Sequence, residues 1–401
     1  MASPTNPIPL KATPSDPLYV LTLTPFFPSR ENDVNGCFVK EPLDLLAELG
    51  FSSTVIAATP LHHSRRHSIS SAPATWVRYP QLPGLLGLPT AGRFLYTRLL
   101  SIVAKLHREK PIHLIHAHAA LPCGRAAALL SQRLDIPFVV SVHGLDVFND
   151  SFAPNARSLR QASIDVYQAA QTVICVSGKV RQILQEGMPA IVNGAIVHNG
   201  VDPELFSPAL ASATHPHELL AVGNLIPSKG QELILRAMHR LTSDFPNLEC
   251  RFIGEGPDQA RLEALARDLG IGAQVHFLGR QSRAAVAEAM RRCSAFVLPS
   301  RSEGLGCVYL EAMSCAKPVI ACRGQGIEDV IQPPKNGCLV SPDSQEELAY
   351  SLRNFLESPE FSARAGGEAR QTILNGFTLA HQAKHLTDVY FEASARVLRN
   401  S

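Results

Sequence analysis

Short apolar runs rich in β-branched residues alternate along this chain with longer stretches in which apolar positions recur every three or four residues. That alternation predicts parallel, doubly wound α/β architecture. In the first half, Leu18 to Thr24, Ser53 to Ala57, His113 to His116, Phe138 to Val142, Thr172 to Val176 and Ala195 to His198 read as strands. Helices fit over Phe38 to Leu49, Gly124 to Leu134 and Ser158 to Ala169. A second series starts near Glu218, with strands over Leu219 to Val222, Cys250 to Ile253, Gln274 to Phe277, Ala295 to Leu298 and Pro318 to Ala321. Gln231 to Leu241 and Asp258 to Leu269 read as helices between them. Asp202 to His217, with prolines at 203, 208 and 216, reads as a linker. The expected division is a disordered lead-in over 1–17, a first domain over 18–200, a linker over 201–217, a second domain over 218–378 and a last helix within 379–401.

Composition changes this picture little. A 401-residue chain is long enough for two cores, and 45% hydrophobic with 18% charged residues describes a globular protein. A net charge of +2 offers no whole-chain argument for nucleic acid. Nine cysteines, an odd number with no Cys-x-x-Cys pair, suggest reduced thiols and a cytoplasmic setting. The proline-rich start lacks the apolar core of a secretion signal, and no run reaches the ~18 apolar residues of a membrane span. Arg93 to Lys110 is basic and apolar at helical spacing, so burial against a sheet or peripheral contact with the inner face of a membrane are both open to it.

The chemistry concentrates at the ends of the apolar runs, where open α/β sheets bind ligands. Glu303 lies in a loop after Ala295 to Leu298, and Glu311 lies eight residues on, within the following helix. The two are on the order of 10 Å apart along the chain, which suits two ends of an extended ligand better than an acid/base pair. Gly304, Leu305 and Gly306 open that helix with little obstruction, and free N–H groups at a helix start favour an anion such as a phosphate. Lys229 stands in a glycine-containing loop just ahead of another helix, a suitable counter-charge for the same kind of anion. In the first half, Gly36 opens a helix where a missing side chain lets backbone approach a ligand. His116, His118 and His143 end two apolar strands, and Asp146 follows the last of these. A metal pair at His116 and His118 lacks an evident third ligand, so structural or acceptor-side roles are expected of them.

The run Glu303-Gly-Leu-Gly-Cys-Val-Tyr-Leu-Glu311-Ala-Met-Ser-Cys-Ala-Lys-Pro-Val-Ile closely resembles the sugar-nucleotide site of retaining glycosyltransferases of family four, which have the GT-B fold of two Rossmann-like domains facing across a cleft. Asn199-Gly-Val-Asp resembles that family's domain crossing, and Gly254-Glu-Gly-Pro-Asp is another of its landmarks. The segment Pro25 to Glu41 resembles members associated with teichuronic acid and exopolysaccharide synthesis. The resemblance implies that Glu303 contacts the hexosyl group of the donor, Glu311 the ribose hydroxyls, Lys229 the diphosphate, and His143 the donor sugar. Asn224 stands where the family usually has an Arg that shares the diphosphate, and Arg301 and Arg323 are candidates to replace its charge. Gly324-Gln-Gly326 is expected to line the donor site through its backbone, and Asp146 to orient His143 or meet the acceptor. The last helix, over Ala380 to Leu398, is expected to pack back on the first domain.

The activity implied is transfer of a hexosyl group from a UDP- or GDP-linked sugar to a glycan or lipid-linked acceptor, with retention and without a cofactor. No Asp-x-Asp occurs, so no metal clamp is expected. Acceptor contacts are expected from variable loops such as His62 to Thr75 and Tyr79 to Pro89. A silent sugar-nucleotide-binding protein and a GT-B epimerase stand as alternatives. A nicotinamide oxidoreductase would need a third glycine where Gln259, Tyr309 and Asp329 stand.

Overall fold

The computed structural model describes residues 18–28, 35–63, 74–82, 84–144, 147, 156–188, 194–209, 215 and 217–400. The lead-in over 1–17, Asp146 and part of the loop from His62 to Thr75 lie outside the described residues.

Two all-parallel sheets carry the chain. The first holds β1 (Tyr19–Thr24), β2 (Ser52–Pro60), β3 (Ala74–Tyr79), β4 (Leu114–His118), β5 (Phe138–Val142), β6 (Thr172–Cys175) and β7 (Gly194–Ile196), in the order β3-β2-β1-β4-β5-β6-β7. The second holds β8 (Glu218–Val222), β9 (Glu249–Ile253), β10 (Val275–Phe277), β11 (Ala295–Leu298), β12 (Val319–Cys322) and β13 (Cys338–Val340), in the order β10-β9-β8-β11-β12-β13. Helices cover both faces, so central strands such as β1, β4, β5 and β11 are buried at every position, which explains their predominantly apolar sequence, broken only by the buried Thr22, Thr24, His116, His118 and Ser141. In each sheet the strand order reverses at one point, between β1 and β4 and between β8 and β11. The crevice at such a reversal is where ligands of these sheets bind.

Two strands escape the sequence pattern. β3 lies between the two segments expected as loops and overlaps their ends, and as an edge strand it buries only Val77 and Tyr79. β13 is three residues long, too short for a periodicity to register.

The crossing between domains is fixed by close backbone contact. Val201 and Thr378 form a bridge, and a Cβ on Gly200 would lie 2.4 Å from the Thr378 carbonyl oxygen, so Asn199-Gly200 admits no side chain at its second position. Arg370 ties the linker to the second domain by donating to the carbonyls of Pro203, Phe206 and Ser314. The last helix, Leu379–Asn400, returns to the first domain and buries Ala383, Leu386, Val389, Tyr390 and Ala393 against Val20, Leu46, Leu114 and Val139. The helix Leu88–Glu109 buries Ala91, Leu95, Leu99 and Val103 against the first domain, which takes up the apolar stripe that the sequence left free for a membrane. Among the described residues, no helix is long and apolar enough to cross a membrane.

Candidate functional site

The loops after β1, β5, β8 and β11 converge where the two strand-order reversals face each other. Lys229 ends a short turn, Pro227–Lys229, that follows β8. The next residue, Gly230, has φ +76, and a Cβ there would lie 2.4 Å from the Pro299 carbonyl oxygen. Glycine is thus what lets the β8 loop close onto the β11 loop. The closure brings the Lys229 ammonium onto Oε2 of Glu303, with the two side chains only 18% and 14% exposed. A poorly solvated pair of this kind holds each charge in place and is sensitive to loss of either member. Glu303 is further fastened through its backbone: its N–H donates to the Gln325 amide oxygen at 2.9 Å, and its carbonyl accepts from Gly326 N–H at 3.1 Å.

Gly304, Leu305 and Gly306 form the hinge between Glu303 and the helix Cys307–Ser314. A Cβ on Gly304 would lie 2.2 Å from the His143 carbonyl oxygen, and one on Gly326 would lie 1.7 Å from the Gly304 carbonyl oxygen. Ser177 of the first domain donates to that same Gly304 carbonyl at 2.5 Å. Glycines here allow two domains to touch backbone to backbone. Leu305 is buried, and Gly306 takes φ +82 at the start of the helix. Gly36, with φ +79, packs against Phe26 and Phe27, where a Cβ would come within 2.4 Å of backbone.

Glu311, one turn into its helix, is 7% exposed and is bound by Arg283 at 2.8 Å. Burial raises the Glu311 pKa, and the guanidinium works against that rise. Arg283 also reaches Glu41 of the first domain at 2.9 Å and lies 5.0 Å from the ring centroid of Phe206. Burial pushes Glu41 up to about 7, only partly offset by an arginine that it shares with Glu311. The sequence reading missed Arg283 and Glu41 altogether. Arg283 is the first residue of a helix capped by Ser282 and carries no motif, so only the fold reveals that one guanidinium joins Glu311 to the opposite domain.

The histidines divide. His116 is 2% exposed, and both its ring nitrogens are engaged, by Tyr390 of the last helix at 2.7 Å and by Ser141 at 2.8 Å. Its position under the last helix makes it a packing residue rather than an acceptor-side group. His118 stacks on His143 with an interplanar angle of 12° and meets it ring nitrogen to ring nitrogen at 3.0 Å. Phe38 also packs on His143, 4.8 Å between centroids. These side chains, with Asn199 and Tyr390, line a cavity of about 20 Å³, room for roughly one water.

Burial keeps the three histidines neutral, with His116 lowered to about 3, His143 to about 4 and His118 also well below its usual value. The unfolded chain therefore takes up protons below pH ~6.5 that the fold refuses, and stability falls as pH drops from there toward 4. Each group contributes up to ~1.4 kcal/mol per pH unit. Glu41 acts in the opposite sense, since the fold holds its proton up to about pH 7. In His116→Gln, stability at pH 7 is expected to fall, while the loss between pH 6.5 and 4 becomes shallower than in the wild type. Urea denaturation at several pH values reads this, and parallel pH curves for the two proteins would refute it.

The cations proposed to stand in for an arginine at Asn224 are both engaged elsewhere. Arg301 donates to Asp343 at 3.2 Å and to the Pro227 carbonyl, and Arg323 pairs with Glu347 at 2.7 Å. The Asn224 side chain sits in an exposed loop position, while its carbonyl accepts from Gln231 at 3.0 Å. Lys229 is thus the cation that the β8 loop presents toward Glu303. Among the described residues, no group of three or more His, Cys, Asp or Glu side chains is arranged to hold a metal ion.

This geometry has relatives. Residues 38–205 match glycosyltransferase family 4, and residues 202–372 match the group 1 glycosyl transferases. The chain is 31% identical over 261 residues to an uncharacterized glycosyltransferase of Methanocaldococcus jannaschii, covering 65% of this chain and 70% of that protein. It is 24% identical over 393 residues to TuaC of Bacillus subtilis, a glycosyltransferase named for teichuronic acid biosynthesis, with 92% and 97% of the two chains covered. In three dimensions it resembles HepE of Anabaena, solved in complex with UDP, with TM-score 0.72 and 16% identity over 93% of this chain and 99% of the other.

Proposed function

Because the chain belongs to the glycosyltransferases of group 1 and family 4 and has their GT-B fold, we propose that it transfers a hexosyl group from a UDP- or GDP-linked sugar to a glycan or lipid-linked acceptor. Retention of configuration and independence of metal are part of the proposal. The observation that carries it is the Lys229–Glu303 pair, held where the β8 and β11 loops meet the His143 backbone of the opposite domain. In this reading the diphosphate draws Lys229 partly away from Glu303, and the freed carboxylate accepts hydrogen bonds from the hexose. HepE, of the same fold, is described in complex with UDP and glucose, which supports a nucleotide and a hexose in one cleft.

The reaction that fits is a same-face displacement. The bond from the anomeric carbon to the β-phosphate oxygen breaks, and the acceptor hydroxyl attacks from the side the diphosphate leaves. The departing phosphate takes the hydroxyl proton. Lys229 and the helix N–H groups after Gly306 stabilise the developing negative charge. His143, neutral and packed by His118 and Phe38, orients the sugar by hydrogen bonding rather than by proton transfer. Contact between the domains around Gly304 excludes water that would otherwise hydrolyse the donor.

A second reading, a silent sugar-nucleotide-binding protein, is favoured by Asn224 alone, since a neutral amide replaces one of two expected cations. Calorimetric titration with UDP-, GDP- and ADP-sugars in the absence of metal tests the proposal. One donor is expected to bind saturably and to be slowly hydrolysed when no acceptor is present. Binding with no turnover, and none on addition of candidate acceptors, would favour the silent reading, and no binding by folded protein would refute both.

A further inference from the structure

Charge is unevenly distributed. No Asp or Glu occurs from Leu49 to Arg108, and residues 61–110 hold eight Lys or Arg against the single Glu109, a local net charge of +7 in a chain of +2. Arg78 on β3, Arg93, Arg98, Lys105 and Arg108 on the helix Leu88–Glu109, and Lys110 after it are all exposed. Among the described residues, ion pairing in this segment is confined to Lys105 with Glu109.

Exposed apolar side chains gather in the same place. Of the seven large hydrophobic residues exposed among the described residues, five fall between Leu61 and Phe94. Leu82 is 69% exposed, Leu86 63%, Phe94 47% and Leu61 45%. Local contacts hold them along one edge. Leu61 N–H donates to the Tyr79 carbonyl at 2.9 Å, and His62 bonds the Gln81 carbonyl at 3.1 Å. Leu82 backbone lies so close to Gly87 that a Cβ there would come within 2.6 Å of it. β3 is the outermost strand of its sheet, so among the described residues no further strand pairs with this edge.

We infer that the β3 edge and the first three turns of the helix Leu88–Glu109 form a docking surface for an anionic lipid bilayer. Leu82, Leu86 and Phe94 enter the headgroup region, and Arg93 and Arg98, beside and one turn beyond Phe94, meet the anionic headgroups. The buried stripe of the helix takes no part, so the docking edge differs from the apolar face that the sequence alone suggested. Uniform positive sign argues against a second copy as the occupant, since two such faces would repel each other. Phe94 is the one ring among the three apolar side chains Leu82, Leu86 and Phe94, which argues against stacking on successive nucleic acid bases. The surface lies on the first domain, apart from Lys229, Glu303 and Glu311 in the second, so docking and donor binding are read separately.

Sedimentation of the full chain with phosphatidylcholine vesicles, with and without phosphatidylglycerol, tests the inference. Binding is expected only with phosphatidylglycerol, and it weakens as salt rises. Arg93→Gln with Arg98→Gln should weaken it roughly thirtyfold, taking about 1 kcal/mol for each basic residue near an anionic surface. Leu86→Ser with Phe94→Ser should weaken it at every salt concentration, while Tyr350→Ser, on the second domain, binds as the wild type does. Melting temperatures confirm that each variant is folded. Failure of the wild type to sediment, equal binding to neutral vesicles, or undiminished binding by both double variants would overturn it. So would a change of oligomeric state in Leu86→Ser with Phe94→Ser without loss of vesicle binding.

Discussion

Lys229→Met is expected to lower donor turnover by roughly 10²- to 10³-fold, the usual loss when one preorganised contact to a developing anion is removed. Two effects contribute. The leaving diphosphate loses its cation, and Glu303 is left 14% exposed with no counter-ion. The second effect also lowers folding stability, by about 2 kcal/mol for a group buried to this degree. Glu303→Gln separates them, because it keeps a hydrogen-bonding side chain at the hexose but removes the charge that holds Lys229. The double variant should recover most of the stability and none of the turnover. Donor hydrolysis without acceptor, measured beside urea denaturation, gives both quantities. Turnover within a fewfold of the wild type in Lys229→Met would mean that the diphosphate is neutralised elsewhere, although Arg301 and Arg323 are already paired with Asp343 and Glu347.

Arg283→Leu should weaken donor binding at neutral pH by at least roughly tenfold, about one charge-assisted hydrogen bond's worth. Glu311 is buried, and burial has already raised its pKa, with Arg283 restraining the rise. Without the guanidinium the carboxyl retains its proton further into the neutral range and becomes a poorer acceptor for ribose hydroxyls. The sign follows: affinity in the variant should improve as pH rises from 6 to 9, while the wild type changes less over the same interval. Glu41→Gln leaves the Arg283–Glu311 contact at 2.8 Å in place and serves as the control for the contact between domains. Calorimetric titration across pH makes the comparison. Equal affinity of Arg283→Leu and wild type throughout would show that Glu311 does not act on the donor as a carboxylate.

Much of the site was legible because its residues lie at strand ends, where a change of periodicity marks the loop. Glu303, Glu311, Lys229 and His143 all follow buried strands or open the next helix. Gly36, Gly304 and Gly306 were legible as places where a side chain would obstruct, although the obstruction met is protein: backbone of Phe26 at Gly36 and of His143 at Gly304, and the Tyr309 ring at Gly306. Residues whose importance rests on who faces them were not legible. Arg283 is an ordinary helix-start arginine in the sequence and a bridge among Glu311, Glu41 and the Phe206 ring in the fold. His116 and His118, two residues apart on one strand, look equivalent until Tyr390 takes the first and His143 the second. The apolar stripe of the helix Leu88–Glu109 likewise signals burial first but leaves a membrane open until the first domain covers it.

The sequence by itself determined two parallel sheets and the loops that carry charge, because local periodicity is a property of short segments, while the crossing at Asn199-Gly200 was legible only through the family resemblance. Only the tertiary structure decided which charges meet across the cleft, which histidines are spent on packing and which edge stays exposed. Those outcomes depend on side chains brought together from segments 74 to 274 residues apart, as in Lys229 with Glu303 and His116 with Tyr390. No local pattern encodes such encounters, since each partner would read the same if the other were absent.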